Sequence, residues 1–226
     1  MRGPLGVQQA ISKKVQMRYL LILPFLLACA TGRSAGEPLR STDCSGVSAL
    51  TQADDQADSL WNAALLRVYN CPQEAAKVLG SLWLDPPEDS VRQKRVHAVS
   101  SKISDRQLFE AVARVLSNID RPQWHRLDAL AVFVNWADST AVLAMNQAPW
   151  RAPNGEIVSV TPTIGFIAPA HTYRIAGAAP MGVEERRQML DLVRQVAEQD
   201  RDISVRGVAQ YIDAWLGGLP PRSGWR

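Results

Sequence analysis

The side chains that most often perform catalysis or bind metals are scattered in this 226-residue sequence. Its three histidines, His97, His125 and His171, lie on different segments, and no H-E-x-x-H or other short ligand spacing joins them. The acidic cluster at 54–58 lacks the glycine and distal glutamate of an EF-hand. Neither a G-x-S-x-G elbow nor a glycine-rich phosphate loop is present. We therefore expect no catalytic residue, no metal site and no cofactor, and each histidine at the surface or on a helix face.

The first 28 residues are typical of a secretory signal peptide. Three basic residues within 13–18 precede an apolar run at 19–28. That run is about ten residues long, whereas a helix that spans a bilayer needs ~20. Met17 is an alternative start that would give a shorter, complete signal. A buried N-terminal helix is the competing interpretation, although it would have no polar face.

The end of the apolar run, Leu26-Leu27-Ala28-Cys29, resembles the lipobox of bacterial lipoproteins. It departs from that pattern at Leu27, where a smaller side chain is more usual. The resemblance implies cleavage before Cys29, a diacylglyceryl thioether on its sulfur and a further acyl chain, such as palmitate, on its amine. Two or three acyl chains anchor a protein stably where one does not. Ala30, rather than an acid, resembles the pattern sorted to an outer membrane; plain secretion after Ala28 or Ala30 is the alternative.

Acylation of Cys29 would leave two of the three cysteines, Cys44 and Cys71. An exported protein sits where disulfides persist, so we expect these two to pair. Two unpaired thiols are the alternative. A zinc site is not expected, because two cysteines 27 residues apart without a nearby histidine do not form a ligand set.

The net charge of +3 comes from the leader. Residues 1–28 contain four basic residues and no acid, so the remainder has 21 basic against 22 acidic residues, a balance of −1. Nucleic-acid binding needs clustered lysine and arginine, and this near-neutral remainder argues against it. The basic stretch 92–95 could touch an anionic surface, although a solvated helix face explains it equally.

Helical periodicity dominates the rest of the chain. A Gly/Ser/Thr/Pro-rich tether at 29–45 leads into a single helical domain at 46–219, and 220–226 is a loose tail. The stretch 108–119 gives the clearest amphipathic helix, and 127–134 is apolar almost all round, which predicts the most buried helix. We therefore expect an all-α fold of paired antiparallel helices.

Three of the expected helices begin alike, with an acidic turn followed by Arg92, Arg126 or Arg206. The segment 202–212 comes closest to the second helix of HEAT repeats, which often begins with Asp and Val-Arg. The resemblance covers two stretches, 73–136 and 184–216. It implies a scaffold or a partner-binding surface rather than chemistry. An irregular helical bundle remains the alternative architecture.

An insertion at about 147–182 interrupts the helices. It is rich in proline and glycine, yet contains short β-prone pieces at 157–160, 164–167 and 172–175. Its Ile, Val, Phe and Tyr content indicates an ordered insertion rather than a solvated one. Four residues in it are candidate partner contacts: Trp150, Arg151, His171 and Tyr173. For Trp150, packing of the insertion onto the helices is the alternative interpretation.

These observations favour a non-enzymatic envelope lipoprotein, held to a membrane by its lipid, whose helical domain binds an unknown envelope protein. Where the source has an outer membrane, we expect the protein on its periplasmic face. A cell-wall-acting hydrolase with a site around His171 and Tyr173, or a purely structural periplasmic spacer, are the alternatives. Aromatic side chains would serve a partner interface well.

Overall fold

A computed structural model describes residues 44–55, 57–168, 174–175 and 181–217. All described residues lie in one compact unit, Thr42–Arg226. That unit is mostly helical, as expected. Its α-helices are α1 (Asp58–Arg67), α2 (Pro72–Leu84), α3 (Ser90–Ser100), α4 (Arg106–Ser117), α5 (Gln123–Ala137), α6 (Val183–Gln199) and α7 (Ile203–Leu216). Short 3₁₀ helices cover Ser45–Asp55 and Val68–Asn70, and the strands are β1 (Ala141–Asn146), β2 (Trp150–Arg151), β3 (Ile157–Val158) and β4 (Thr161–Phe166).

Aspartates fix the starts of three helices. Asp89, Asp105 and Asp202 each precede a helix and accept a hydrogen bond from a backbone N–H of its first turn, at 2.7, 2.8 and 2.9 Å. Such caps satisfy backbone donors that have no partner inside the helix. Pro72 begins α2, where its missing N–H has no cost. Two of the acidic turns seen in the sequence therefore cap a helix, α3 and α7, whereas α5 begins after Pro122 without a side-chain cap.

The helices pack in two rows. In one row α4 contacts both α2 and α6, and in the other α5 contacts both α3 and α7. Successive helices along the chain, α2 with α3, α4 with α5 and α6 with α7, also pack against each other across the rows. Paired helices are thus the unit of this fold.

Helix α5 lies at the centre and is the most buried, as its apolar sequence predicts. Phe133 and Trp136 on α5 and Trp83 on α2 are almost completely buried. The two indole N–H groups donate to Ser100, that of Trp83 to the hydroxyl at 3.0 Å and that of Trp136 to the carbonyl at 3.1 Å. Buried indoles need such partners. Ser100 therefore joins three helices at one point in the core.

The insertion begins earlier than expected, with β1 rather than at residue 147. Strand β1 pairs antiparallel with β4, and β2 with β3 inside that hairpin. Alternate residues of β1 are buried, which is the period of a half-buried strand. Its Ala, Leu and Met residues are helix formers, so packing against α5 decides its conformation rather than propensity. Arg174 and Ile175 are not in a strand, in contrast to the prediction for 172–175.

The predicted disulfide is confirmed. The Cys44 and Cys71 sulfurs are 2.06 Å apart. The bond joins the start of the Ser45–Asp55 3₁₀ helix to the residue before α2. In the chain-entropy model, closing a loop of this 27-residue separation stabilises the fold by about 3.5 kcal/mol.

Ion pairs fasten the last helix pair and the insertion to the rest of the domain. Arg126 on α5 pairs with Asp200, which precedes α7, and both side chains are almost fully buried. Arg206 on α7 donates to Glu156 of the insertion, with 2.9 Å between Nε and Oε2. Hydrogen bonds from Arg206, and next from Asn154, hold the pKa of the Glu156 carboxyl below its ordinary value. The described strands of the insertion are thus an ordered part of the domain.

Over the described part of the chain, no helix combines the length and the apolar character needed to cross a membrane.

Candidate functional site

The residues predicted from the sequence to carry function are only partly within the described chain. Cys29, His171 and Tyr173 lie outside the described residues. Arg151 is exposed, and its guanidinium donates to the carbonyl of Gly155 at 2.8 Å. Trp150 is buried and meets the ring of Tyr211 edge-on, with 6.0 Å between the centroids. The contact role expected for Trp150 therefore does not fit its position, because its indole packs the insertion onto α7.

The insertion instead exposes other apolar side chains. Phe166 at the end of β4 is 65% exposed and Ile157 on β3 is 62% exposed. Val142 on β1 is also exposed, and it lies opposite Gly165, which has no side chain to cover it. Exposed apolar groups on an ordered element are typical of protein–protein contacts. Because Phe166 pairs with Ala141 and Val142 with Gly165, the side chains of Phe166 and Val142 lie on opposite faces of the β1–β4 hairpin. The two most exposed residues, Phe166 and Ile157, are called the insertion surface below.

Two histidines have surroundings that their sequence positions did not predict. His97 on α3 and His125 on α5 are on helices, as expected, but both are buried among aromatic rings. His97 stacks on Trp83 with centroids 4.2 Å apart, and His125 stacks on Trp83 at 5.2 Å and on Trp124 at 4.9 Å. We call these four rings the His–Trp cluster. Its exposure rises from Trp83 and His125 inside to Trp124 at the surface.

Asp128 contacts the cluster at its edge. Its Oδ2 atom is 2.8 Å from Nδ1 of His97. The N–H direction does not point along that line, so the contact is electrostatic rather than a well-aligned hydrogen bond. The pairing orients the His97 ring and leaves Nε2 as the nitrogen that can meet a ligand.

His125 is the most unusual member of the cluster. Its side chain is completely buried, and among the described residues neither ring nitrogen has a hydrogen-bond partner. Burial first, then repulsion from His97 and Arg121, lower the pKa of His125 to about 4, against a smaller opposite effect of Asp128. His125 is therefore neutral at pH 7. A buried polar ring without partners costs free energy, so its position calls for a physical reason.

Two grooves open beside the cluster and meet at Asp128. The first, which we name the Trp124 groove, has a volume of about 450 Å³ and is lined by Glu88, Ser90, Gln93, Lys94, Trp124 and Asp128. The second, the His97 groove, has a volume of about 280 Å³. Its polar lining residues are His97, Ser101, Lys102, Asp128 and Asn135, and its floor includes Val142 and Leu143. Both grooves follow the boundary between α3 and α5.

The far end of the His97 groove is positively charged. Burial, and secondly the charge of Arg174, lower the pKa of Lys102 below its ordinary value. Arg174 itself donates to the carbonyls of Asn135 and Trp136 at 3.3 and 3.2 Å, near the end of α5. A cation at a helix C-terminus neutralises the partial charge of its free carbonyls. Arg174 therefore has a structural role in closing α5.

The arrangement provides groups that can bind a ligand. The described residues contain no group of three or more His, Cys, Asp or Glu side chains placed to hold a metal ion. His97 and Asp128 can form hydrogen bonds with a ligand, while the surrounding rings supply an apolar contact area. A scan against protein-family models, a search of curated proteins and a search of solved structures each return no match.

Sequence reasoning missed this site because its members are far apart in the chain. His97 and His125 are separated by 28 positions, and nothing in their spacing brings them together. Only the packing of α3 against α5 does so. The one signal in the sequence was the neighbouring pair Trp124 and His125 at the start of a helix. A tryptophan on the outward face of a helix can indicate a binding surface.

Proposed function

We propose that this chain is a non-enzymatic lipoprotein of a bacterial envelope, whose helical domain binds a protein partner through the insertion surface. The observation that carries the proposal is Phe166, a large apolar side chain exposed at 65% on an insertion that is firmly attached to the helices. The burial of Trp150 against Tyr211 and the Arg206–Glu156 pair provide that attachment. An ordered apolar surface loses little conformational entropy on binding.

The arrangement of the helices supports a HEAT-like scaffold. Two rows of helices, formed by successive pairs, are what such repeats build. Arg92, Arg126 and Arg206 all lie in the first turn of a helix of the α3–α5–α7 row, at its third or fourth residue. The equivalent placement of these arginines is the strongest argument for three related pairs. Scaffolds of this kind present surfaces to partners.

The cysteine pairing supports the lipid anchor. Since Cys44 and Cys71 are bonded to each other, Cys29 is the one cysteine of the chain left for acylation. Replacing Cys29 by Ser should release the protein from membranes and leave the disulfide intact. Mass spectrometry of the mature N-terminus measures the modification directly. An unmodified N-terminus downstream of Cys29 would instead mean ordinary secretion.

Partner binding can be tested by site-specific photo-cross-linking in living cells. A photoreactive phenylalanine analogue at position 166 should give a discrete cross-linked protein band. The matched control is the same analogue at Leu60, which is 62% exposed on α1, away from the insertion. Phe166→Ser with Ile157→Ser should then abolish co-purification of the cross-linked protein. Equal adducts at 166 and 60, or none at 166, would contradict the insertion surface as the contact.

A further inference from the structure

The Trp124 groove is distinct from the insertion surface and has a different chemistry. Trp124 is its one aromatic side chain, and it is 41% exposed. The remaining lining residues are all polar: Glu88, Ser90, Gln93, Lys94 and Asp128. A groove that combines one exposed indole ring with a polar rim fits a ligand that has both a flat apolar face and many hydrogen-bonding groups.

The Trp124 indole is held in place before any ligand arrives. His125 stacks against it with centroids 4.9 Å apart and planes inclined by 20°. His97 lies behind, at 6.4 Å. Since His125 occupies one side, the exposed area of the indole belongs to the groove. The need for this fixed support also gives a reason for the buried, unpartnered ring of His125, whose flat shape fills the space between Trp83 and Trp124.

The rim offers both acceptors and donors, with acceptors in the majority. Glu88 and Asp128 accept hydrogen bonds, Lys94 donates, and Ser90 does both. The side-chain amide of Gln93 donates to the carbonyl of Pro87, which leaves its oxygen to accept from a ligand. His97 fixes the Asp128 carboxylate from behind. Hydroxyl groups both donate and accept, so a ligand rich in hydroxyls matches this rim best.

The charges of the groove argue against other small ligands. Two carboxylates, Glu88 and Asp128, face a single ammonium group, that of Lys94, so a phosphate or nucleotide would be repelled. An acyl chain would leave the polar rim without partners. A pyranose ring avoids both difficulties, because its C–H face is attracted to the negative face of an indole while its hydroxyls reach the rim.

We propose that the Trp124 groove binds a pyranose unit of a neutral or N-acetylated glycan. The proposal does not depend on the insertion surface or on the lipid anchor. The groove volume of about 450 Å³ accommodates a sugar unit with part of its neighbour.

The test is calorimetric titration of the full chain, in a detergent without a sugar head group, with chitotriose, cellotriose and maltotriose. At least one of them should bind, and Trp124→Ala should weaken that binding at least about tenfold. Trp124→Phe should retain most of the affinity, and Asp128→Asn should reduce it. Leu66→Ala, an exposed position on α1, is the control that should leave affinity unchanged. Circular dichroism confirms that each variant is folded.

Three results would overturn the proposal. The first is no binding of any of the three sugars at about 10 mM, a concentration at which even a complex with a millimolar Kd would form. The second is sugar binding that Trp124→Ala does not change, which would place the sugar elsewhere. The third is binding of an alanine-rich pentapeptide with a loss on Trp124→Ala while the sugars do not bind, which would assign the groove to peptide.

Discussion

The buried ring of His125 should make this domain lose stability in mild acid. In the folded protein the pKa of His125 is lowered to about 4, whereas in the unfolded chain it has its ordinary value near 6.5. Between these values the unfolded state binds a proton that the folded state does not. The free energy of unfolding therefore falls as the pH falls from about 6.5 to about 4.

The size of the effect follows from the difference between the two pKa values. A lowering from 6.5 to about 4 corresponds to roughly 3 kcal/mol once the pH is below both values. At pH 5 about two thirds of that loss, near 2 kcal/mol, is already present. Carboxyl groups with lowered pKa values, such as that of Asp202, contribute at lower pH, so they add little to the change between pH 7 and pH 5.

The assay compares the wild type with His125→Phe, which keeps a flat ring between the two tryptophans and removes the titrating group. Urea unfolding followed by circular dichroism gives the free energy of unfolding of each protein at pH 7, 6 and 5. The wild type should lose about 2 kcal/mol more than His125→Phe over this interval.

Equal pH dependence of the two proteins would refute the reasoning. It would mean that the His125 ring is solvated or finds a hydrogen-bond partner on protonation. A steeper fall in the free energy of unfolding of His125→Phe than of the wild type, from pH 7 to pH 5, would also contradict the prediction. In either case His125 would not be a neutral, dry support for the Trp124 indole.

Three further predictions concern the contacts that hold the fold together. Replacing both Cys44 and Cys71 by Ser should lower the free energy of unfolding by about 3.5 kcal/mol, measured in urea against the wild type with and without reductant. Arg126→Ala should cost about 3–5 kcal/mol because Asp200 is left charged and buried, whereas the double change Arg126→Met with Asp200→Leu should recover most of this loss. Gly207→Ala should cost about 1–3 kcal/mol, since its Cβ would lie 2.9 Å from Cγ1 of Val158. Gly165→Ala is the matched control, because no atom lies within 4 Å of its Cβ, and unchanged melting of both variants would contradict the packing of α7 on the insertion.

Local sequence signals predicted the helices well because each signal acts over a few residues. The apolar spacing of α4 and the continuous apolar run of α5 determine which faces are buried, and both helices lie where these patterns place them. Asp105 marks a helix start because its carboxylate accepts a hydrogen bond from a backbone N–H, and Pro72 marks one because the first position of a helix needs no N–H. The pairing of Cys44 with Cys71 was also predictable once Cys29 was assigned to another chemistry.

Tertiary packing decided the features that the sequence did not predict. Strand β1 consists largely of residues that favour helices, and it is a strand because it pairs with β4 over α5. Trp150 takes the alternative role considered for it, packing the insertion onto α7 against Tyr211, whereas nothing in the sequence predicted that Trp124 would lie on the outer side of the cluster. The His–Trp cluster needs three helices to be in place before its members touch. No local pattern encodes such a contact.

The three arginines at equivalent helix positions show how similar helix pairs acquire different surroundings. Arg92 pairs with Asp58 on α1, at 3.1 Å, and lies over the ring of Trp61. Arg126, in the corresponding position on α5, pairs with Asp200 in the turn before α7.

Arg206, in the same helix position on α7, pairs with Glu156 and so reaches out of the helical rows into the insertion. The attachments of the insertion to α7 include this ion pair, the close approach of Val158 to Gly207, and the Trp150–Tyr211 contact. Because a side chain on a firmly attached element keeps its exposure, Phe166 is available to a partner without a prior rearrangement. Arg206, which lies at the start of α7 as Arg92 and Arg126 lie at the starts of α3 and α5, therefore helps to hold the insertion in place. The proposed partner contact depends on that attachment.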